Sequence, residues 1–369
     1  MTAITHTSFA SFTALTYNAR LWGGTGLVNG EATRLYCEDH QRVDRIADRL
    51  ITTGPDLIGL QEVFCPEMQD RLIERLRDDY PYHVRSSTFD GVEQSIRTVR
   101  RLWPRFGDLY ARNIQKVVDG FTLSHYSRDG LPTRLLKRFI SEDAVLRFLH
   151  EAAEQQFLWG AGLLFFSKSP VLEHSFVPHP ERADLERFAD KGTLKVTVQP
   201  PQTDPITVLL THLQEGETPH ARSARRLQLG RIQGLMREAG KAVVLGDMNV
   251  PEGWPDSYRE MAAGMLQAGG FDCFRTVYPD RRENPGYTYR VGNPFERTLL
   301  GESHPFVGED LRLDYIFARG LRVLGSGVLE DDFSGLSDHS PVLVRFGSSL
   351  IVSGPSSTDR AAPTGRAAV

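Results

Sequence analysis

The stretch Val243-Val-Leu-Gly-Asp-Met-Asn-Val250 runs three apolar β-formers into a glycine, then sets Asp247 and Asn249 one residue apart. Gly246 permits a sharp turn, and two oxygen-bearing side chains then project from a strand end. That arrangement suits a hard metal ion or attack on a phosphate. By itself a Gly-Asp-x-Asn turn is more often only a turn. Other strand ends in this chain carry matching groups. Asn18 follows the β-rich run Phe12–Tyr17, Glu62 follows Asp56-Leu-Ile-Gly-Leu-Gln, and His212 follows the run from Ile206 to Leu210. Asp338 and His339 precede Val342–Phe346, and Asp314 lies within the apolar run Arg312–Phe317. Taken singly these have plainer readings: Asn18 as a turn residue, Glu62 as a solvated loop acid, His212 as a hydrogen-bonded structural group. A carboxylate at a buried strand end with no basic neighbour is costly, however, unless a cation or hydrogen bonds meet it. A charge inside a buried strand likewise needs a partner. Oxygen ligands with no cysteine and few histidines predict Mg²⁺, with Mn²⁺ or Ca²⁺ next. Two histidines near carboxylates supply a general base and a donor to a phosphate oxygen.

The elements that must position these groups can be read from periodicity. Apolar residues at helical spacing (Leu35, Val43, Ile46, Ala47, Leu50) predict a helix over 33–52, and Met68, Leu72 and Leu76 another over 67–79. Strands are expected at 12–17, 56–63, 80–84, 162–167, 171–177, 193–198, 206–210, 243–246, 312–317 and 342–346, with a short one at Tyr287-Thr-Tyr289. Pro200-Pro201 marks the turn of a hairpin between Thr193–Val198 and the strand from Ile206. A basic helix covers 221–239 and a further helix 258–268. Few of the strands lie in strand–helix–strand register. The fold class expected is α/β: two packed mixed sheets with helices outside, their strand ends converging on one edge.

The 369 residues are 40% hydrophobic and 24% charged, enough for a large core. A net charge of −4 gives no broad footprint for nucleic acid, although a local basic patch is compatible with it. Cys37, Cys65 and Cys273 match neither a zinc pattern nor a disulfide framework, which fits a reducing compartment. No signal-like or membrane-spanning run is evident, so a cytoplasmic location is expected. The glycine-rich loop 20–32 lacks phosphate-binding-loop spacing and is expected to be flexible. The catalytic domain is placed at 11–347, with a disordered tail at 348–369. Residues 91–158 differ in kind, with helical spacing, a basic excess and interleaved aromatics. They are expected to form a helical insertion, either a packed subdomain with a solvated charged face or a surface that meets anionic lipid.

Tyr17-Asn18, Leu60-Gln-Glu62, Thr211-His212, Gly246-Asp-Met-Asn249, Leu313-Asp-Tyr-Ile316 and Ser337-Asp-His339 stand in the order of the endonuclease/exonuclease/phosphatase superfamily, which the chain resembles. The resemblance implies a four-layer α/β sandwich and metal-dependent phosphoester hydrolysis. It implies that Glu62, with Asn18 nearby, holds Mg²⁺ and that Asp338 is a further carboxylate on the metal side. His339 takes the proton of the attacking water and Asp314 orients its ring. Asp247 and Asn249 position the water and the scissile phosphate, or a second metal. His212 donates to the phosphate oxygen. A histidine base predicts activity rising as pH passes roughly 6–7.

Local features look like the neutral sphingomyelinase branch: Gln61-Glu-Val-Phe64 with Tyr80-Pro-Tyr82, Thr211-His-Leu-Gln214 with Arg225-Arg-Leu-Gln228, and Lys191-Gly192. Lys191 is the candidate substrate-binding cation, with Asp184, Glu186 and Asp190 as candidate partners. The resemblance implies a phospholipid substrate and release of a phosphorylated headgroup. Alternatives are a nuclease using the basic helix 221–237, an inositol-phosphate phosphatase, and a non-catalytic phosphate- or lipid-binding module. No obligate protein partner is evident.

Overall fold

The computed structural model describes residues 11–21, 31–86, 160–183, 186, 189–293 and 308–347, the side chains of 31–37, 66 and 255 excepted. The expected insertion 91–158, the tail 348–369 and most of the glycine-rich loop lie outside the described residues.

Two six-stranded sheets face each other. The first contains β1 (Ser11–Leu21), β2 (Leu57–Val63), β3 (Tyr82–Arg85), β4 (Leu164–Ser167), β11 (Arg322–Val328) and β12 (Val342–Gly347), in the order β11-β12-β1-β2-β4-β3. The second contains β5 (Val171–Pro178), β6 (Gly192–Val198), β7 (Ile206–His212), β8 (Ala242–Asp247), β9 (Phe271–Asp272) and β10 (Asp314–Arg319), in the order β5-β6-β7-β8-β10-β9. Helices α1 (Glu31–Thr53) and α2 (Pro66–Leu76) cover the first sheet, and α3 (Pro219–Glu238) and α4 (Pro255–Gln267) cover the second. Two short helices, α5 (Cys273–Val277) and α6 (Glu330–Phe333), complete the described elements. This is the four-layer α/β sandwich expected. Among the described residues no helix is long and apolar enough to cross a membrane.

Strand alternation explains where the site lies. In β1, Phe12 and Ala14 face the other sheet while Leu15, Tyr17 and Ala19 face the helices. Asn18 therefore falls on the inner face, in phase with Phe12 and Ala14. The same parity puts His212 in line with Ile206, Val208 and Leu210, Asp247 with Val243 and Leu245, and Asp314 with Ile316 and Ala318. Apolar side chains fill the space between the sheets until the strands end, and polar ones follow there.

Two crossovers align those ends. β1 pairs parallel with β2 across α1, and β7 pairs parallel with β8 across α3, so four strands finish at one edge. β10 runs antiparallel to β8 and starts at that edge, with Asp314 opposite Asp247. β12 runs antiparallel to β1, which brings the preceding Ser337–His339 to the same place. The sheets pack tightly at Gly59. A Cβ added at Gly59 would lie 2.1 Å from Leu245 Cδ1 and 2.8 Å from Leu210 Cδ1.

Some expectations are corrected. Asp314 opens its strand instead of lying in its middle, because Leu311 is drawn away to bridge Tyr289. Tyr287–Tyr289 makes isolated bridges through Tyr289, to Leu311 and His339, not a strand. Pattern reading passed over β11, where glycines interrupt a half-exposed edge run.

Candidate active site

Each functional side chain reaches the cleft through a local backbone device. Glu62 and Asn249 have φ of 57° and 49°, and Arg20 has 47°. Left-handed backbone at a non-glycine residue costs roughly 1–2 kcal/mol and persists only where surroundings enforce it. At Glu62 it sets the carboxylate against the inner-face groups. Asn18 Nδ2 donates to Glu62 Oε1 at 3.0 Å and to Asp247 Oδ2 at 3.1 Å, bridging the sheets. Gly246, at φ 152°, runs beside β7 so closely that a Cβ would sit 1.9 Å from the Thr211 carbonyl oxygen. No other residue type fits there, and Asp247 emerges directly after it. The Asn249 backbone N–H donates to Asp247 Oδ1 at 2.9 Å, and its Nδ2 donates to the Leu213 carbonyl at 3.0 Å.

His339 Nδ1 lies 2.7 Å from Asp314 Oδ2, and its Nε2 points across to Asp247 Oδ2 at 3.8 Å. The short Asp314 contact fixes the tautomer with the proton on Nδ1, leaving Nε2 to accept one. The Tyr289 ring meets the imidazole edge-on at 5.5 Å between centroids. Thr288 Oγ1 accepts the N–H groups of Leu313 and Asp314, and the Thr288 carbonyl accepts the N–H of Ser340. The segment 288–289 thus splints Asp314 to His339. Opposite them, His212 Nε2 is 3.8 Å from both Glu62 Oε1 and Asp247 Oδ2.

Burial and crowding divide the two histidines. Burial alone would lower His339, but the adjacent Asp314, then Asp247 and Asp338, outweigh it and hold its pKa well above the ordinary value. Burial pushes His212 well below the ordinary value, and the charges of Lys191 and His339 lower it further. Their surroundings set the two imidazoles apart: His339 favours the charged form and His212 the neutral one. Burial, reinforced by Asp314, pushes Asp247 up to about 7, against the pull of His339 and its hydrogen bonds.

Asn18, Glu62, His212, Asp247, Asp314 and His339 are thus joined by direct contacts, with Asn249 behind Asp247. Two expected residues sit differently. Asp338 turns to Arg20, with Oδ2 3.4 Å from Nε, and its Oδ1 lies 3.1 Å from Ser337 Oγ. Lys191 is buried, 2.5 Å from Glu186 and 3.0 Å from the Leu213 carbonyl, so Glu186 of its candidate partners is paired with it, while Asp184 lies outside the described residues.

The donors suit a hard divalent cation. Glu62, Asn18 and Asp247 present oxygen-bearing groups to one point, although the Asn18 amide would present its oxygen there after a 180° flip. Ligand atoms of Asp247, Asp314 and His339 also lie within 4.8 Å of one another. Asp314 Oδ1 is buried with no hydrogen-bond partner, and two facing carboxylates need positive charge between them.

Sequence reasoning missed the buried ion pair Asp39–Arg42 on α1 and the network Glu252–Arg275–Arg312–Asp272 beside β10. The first left a signal. Asp39 and Arg42 fall in phase with the apolar face Val43, Ile46 and Leu50, where a charged pair is out of place.

Residues 28–339 match the model of the Endonuclease/Exonuclease/phosphatase family. Inositol phosphosphingolipids phospholipase C of Schizosaccharomyces pombe is 30% identical over 160 residues, which are 38% of this chain and 34% of that protein. The match therefore spans about a third of the relative's length. Among solved structures, the endonuclease/exonuclease/phosphatase from Beutenbergia cavernae superposes with a TM-score of 0.53 at 18% identity, covering 92% of this chain and 72% of that one. Sphingomyelinase C from Streptomyces griseocarneus gives 0.52 at 17%, covering 92% and 99%. TDP2 from Caenorhabditis elegans gives 0.53 at 15%, covering 94% and 77%. At these identities the likeness is one of fold.

Proposed function

The chain belongs to the Endonuclease/Exonuclease/phosphatase family, and from that premise we propose that it is a metal-dependent phosphodiesterase that cleaves phosphosphingolipids in the manner of a phospholipase C. The observation that carries the hydrolytic reading is the His339–Asp314 pair aimed at Asp247, facing Asn18 and Glu62 across the gap between the sheets.

His339 Nε2 takes a proton from water as its oxygen bonds to phosphorus, and Asp314 holds the ring and shares the resulting charge. Asp247 and Asn249 place the water and the phosphate. His212 donates its N–H to a phosphoryl oxygen as charge grows there. The phosphorus–oxygen ester to the lipid alcohol breaks, the alkoxide takes a proton from solvent water and leaves as ceramide, and His339 later returns its proton to solvent. Glu62 and Asn18 would hold the cation, with Mg²⁺ first and Mn²⁺ next, and it would supply neutralisation of the phosphate charge. Asp338, its charge balanced by Arg20, borders the site without joining the metal's donors. Lys191 is the substrate-side cation nearest His212.

The lipid reading is supported by the sphingolipid-specific names of the S. pombe relative and the Streptomyces fold neighbour. The basic, aromatic-rich sequence of 91–158 is the candidate lipid-facing part. A nucleic-acid backbone is the second reading, and the basic helix α3 was its main support. Three of that helix's arginines are already engaged: Arg225 with Glu217, Arg226 with Glu260 and Arg231 with Glu181.

The test is Mg²⁺-dependent release of phosphorylated headgroup from sphingomyelin and inositol phosphosphingolipid vesicles, run beside plasmid nicking. His339→Ala should lower kcat by about 10³-fold, within the range for loss of a general base, while circular dichroism stays that of the wild type. Plasmid nicking with inert vesicles would move the substrate to nucleic acid. Equal rates in wild type and His339→Ala would end the hydrolytic reading.

A further inference from the structure

We propose that Arg42, on α1, is a positioning residue for this hydrolysis: its buried guanidinium locks the end of β1, which carries Asn18, to the loop that carries His339. The inference rests on the phosphodiesterase reading above.

Arg42 and Asp39 are 4% and 3% exposed, within the apolar face of the helix. Taking such charges out of water costs several kcal/mol per ion unless good geometry offsets it, so an ion pair placed there calls for a reason. The reason lies in what Arg42 touches. Its Nη2 donates to the Arg20 carbonyl at 2.6 Å and to Asp39 Oδ1, and its Nη1 to the Leu336 carbonyl and, at 3.4 Å, to the Ala19 carbonyl. Three backbone carbonyls from two distant stretches therefore converge on one planar fork, with Asp39 balancing its charge.

Both stretches need such a tie. Between Asn18 and Leu21 the β1–β2 register shifts, and Arg20 takes its left-handed backbone there. A bulge of this kind interrupts the ladder, and the carbonyls of Ala19 and Arg20 turn to Arg42 instead. Leu336 immediately precedes Ser337, whose Oγ donates to the Asn18 carbonyl at 2.7 Å and accepts the His339 N–H at 3.2 Å. The strand end with the metal-side amide and the loop with the base are thus held by two adjacent polar ties, Arg42 from behind and Ser337 between.

None of these four acceptors is a reacting group. Arg42 acts through backbone position, by fixing the separation of His339 from Asn18. A lysine keeps the charge opposite Asp39 but has no fork, and cannot serve carbonyls in two directions at once. Misplacement of a catalytic group by about 1 Å is enough to cost about 10²-fold in rate.

The experiment uses the full chain with Mg²⁺ and whichever phosphodiester the wild type cleaves, comparing Arg42→Lys, Ser337→Ala, the double variant and Arg71→Lys. Arg71 makes an exposed ion pair with Asp44 on the outer side of α1 and serves as the control. Arg42→Lys should lower kcat by roughly 10- to 100-fold with KM within about threefold. In hydrogen exchange, peptides covering 18–21 and 336–339 should lose protection while those of β7 and β8 keep theirs. Because the two ties share one junction, the double variant should be less impaired than the product of the single losses. Arg42→Lys with wild-type kcat overturns the proposal, as does a loss matched by the unfolded fraction. If Arg42→Lys fails to fold, wild-type kcat in Ser337→Ala overturns it. A wild type inert to every phosphodiester takes down the phosphodiesterase reading, and the positioning role with it. That result is distinct from failure of the clamp alone, in which the wild type turns over and Arg42→Lys matches it.

Discussion

The β1–α1–β2 unit brings Asn18 and Glu62 to the cleft, and the β7–α3–β8 unit brings His212 and Asp247. Each is a parallel strand pair with a helix outside, and each helix sends an arginine back to strand-end carbonyls. Arg42 serves Ala19, Arg20 and Leu336, while Arg225 serves Gln214 and Gly216 and pairs with Glu217. The difference is reach. Arg225 closes the loop that follows its own strand, whereas Arg42 also takes hold of the distant Leu336–His339 loop. The units also turn into the cleft differently. The first accepts left-handed backbone at Arg20 and Glu62, and the second uses Gly246 before Asn249. One unit therefore carries positive φ on arginine and glutamate, which resist it, and the other places it on glycine and asparagine, which tolerate it.

The largest expected effect comes from removing that tolerance. Gly246→Ala drives a Cβ into the Thr211 backbone, which cannot yield, and should cost about 3 kcal/mol or more, read as the chemical-denaturation midpoint. Gly59→Ala meets only leucine methyl ends and should cost less. Equal losses would mean that the second unit's turn is no more constrained than the sheet interface.

Next is acid. His179, beside β6 in the second sheet, is buried with Nε2 3.1 Å from Thr193 Oγ1. Burial, aided by Arg231 and Lys191 and opposed by Glu181, lowers its pKa to about 4. A histidine depressed on folding gives stability that is complete above its unfolded pKa near 6.5 and lost as pH falls towards 4. The loss should reach about 3 kcal/mol. His179→Gln should flatten this part of the pH–stability curve, and an unchanged slope would place the acid sensitivity elsewhere.

Glu62→Gly tests the first unit's strain with the opposite sign. It should raise stability by on the order of 1 kcal/mol while abolishing turnover, since it relieves both the left-handed backbone and the crowding of Glu62 against Asp247. A melting temperature below that of the wild type would show that the Asn18 bridge outweighs the strain. The smallest effect belongs to Arg225→Lys, which should change kcat by less than about threefold while loosening 214–218 in hydrogen exchange. A loss as large as that of Arg42→Lys would erase the contrast in reach between the two arginines.

Most of the sandwich was legible because strand parity and strand-end chemistry are local. Phe12, Ala14 and Asn18 share a phase in the sequence as they share a face in the fold, and so do Leu210 and His212. What stayed hidden depends on contacts between distant segments. Glu186 could not be chosen over Asp190 as the partner of Lys191, since loop geometry makes that choice. Asp338 stands next to His339 and reads as one more site acid, but Arg20, turned by its left-handed backbone, pairs with it. Arg42 and Arg312 were passed over because helix and strand reading counts charges as exposed unless a partner is visible nearby, and their partners include backbone carbonyls and loop acids far along the chain.

The position of β1 has a consequence for how the protein is made. This early strand lies between β2 and β12, and its β12 partner is among the last described elements to leave the ribosome. Until β12 arrives, one edge of β1 stays open, with its N–H and C=O groups unpaired and apolar side chains beside them. His339 and the Leu336 carbonyl arrive in the same late stretch. The nascent chain can therefore shape the second sheet early, but its catalytic centre closes only when the last strand docks. A nascent chain that stops before β12 lacks the partner for β1's open edge, and the interval before docking is when a chaperone has most to shield.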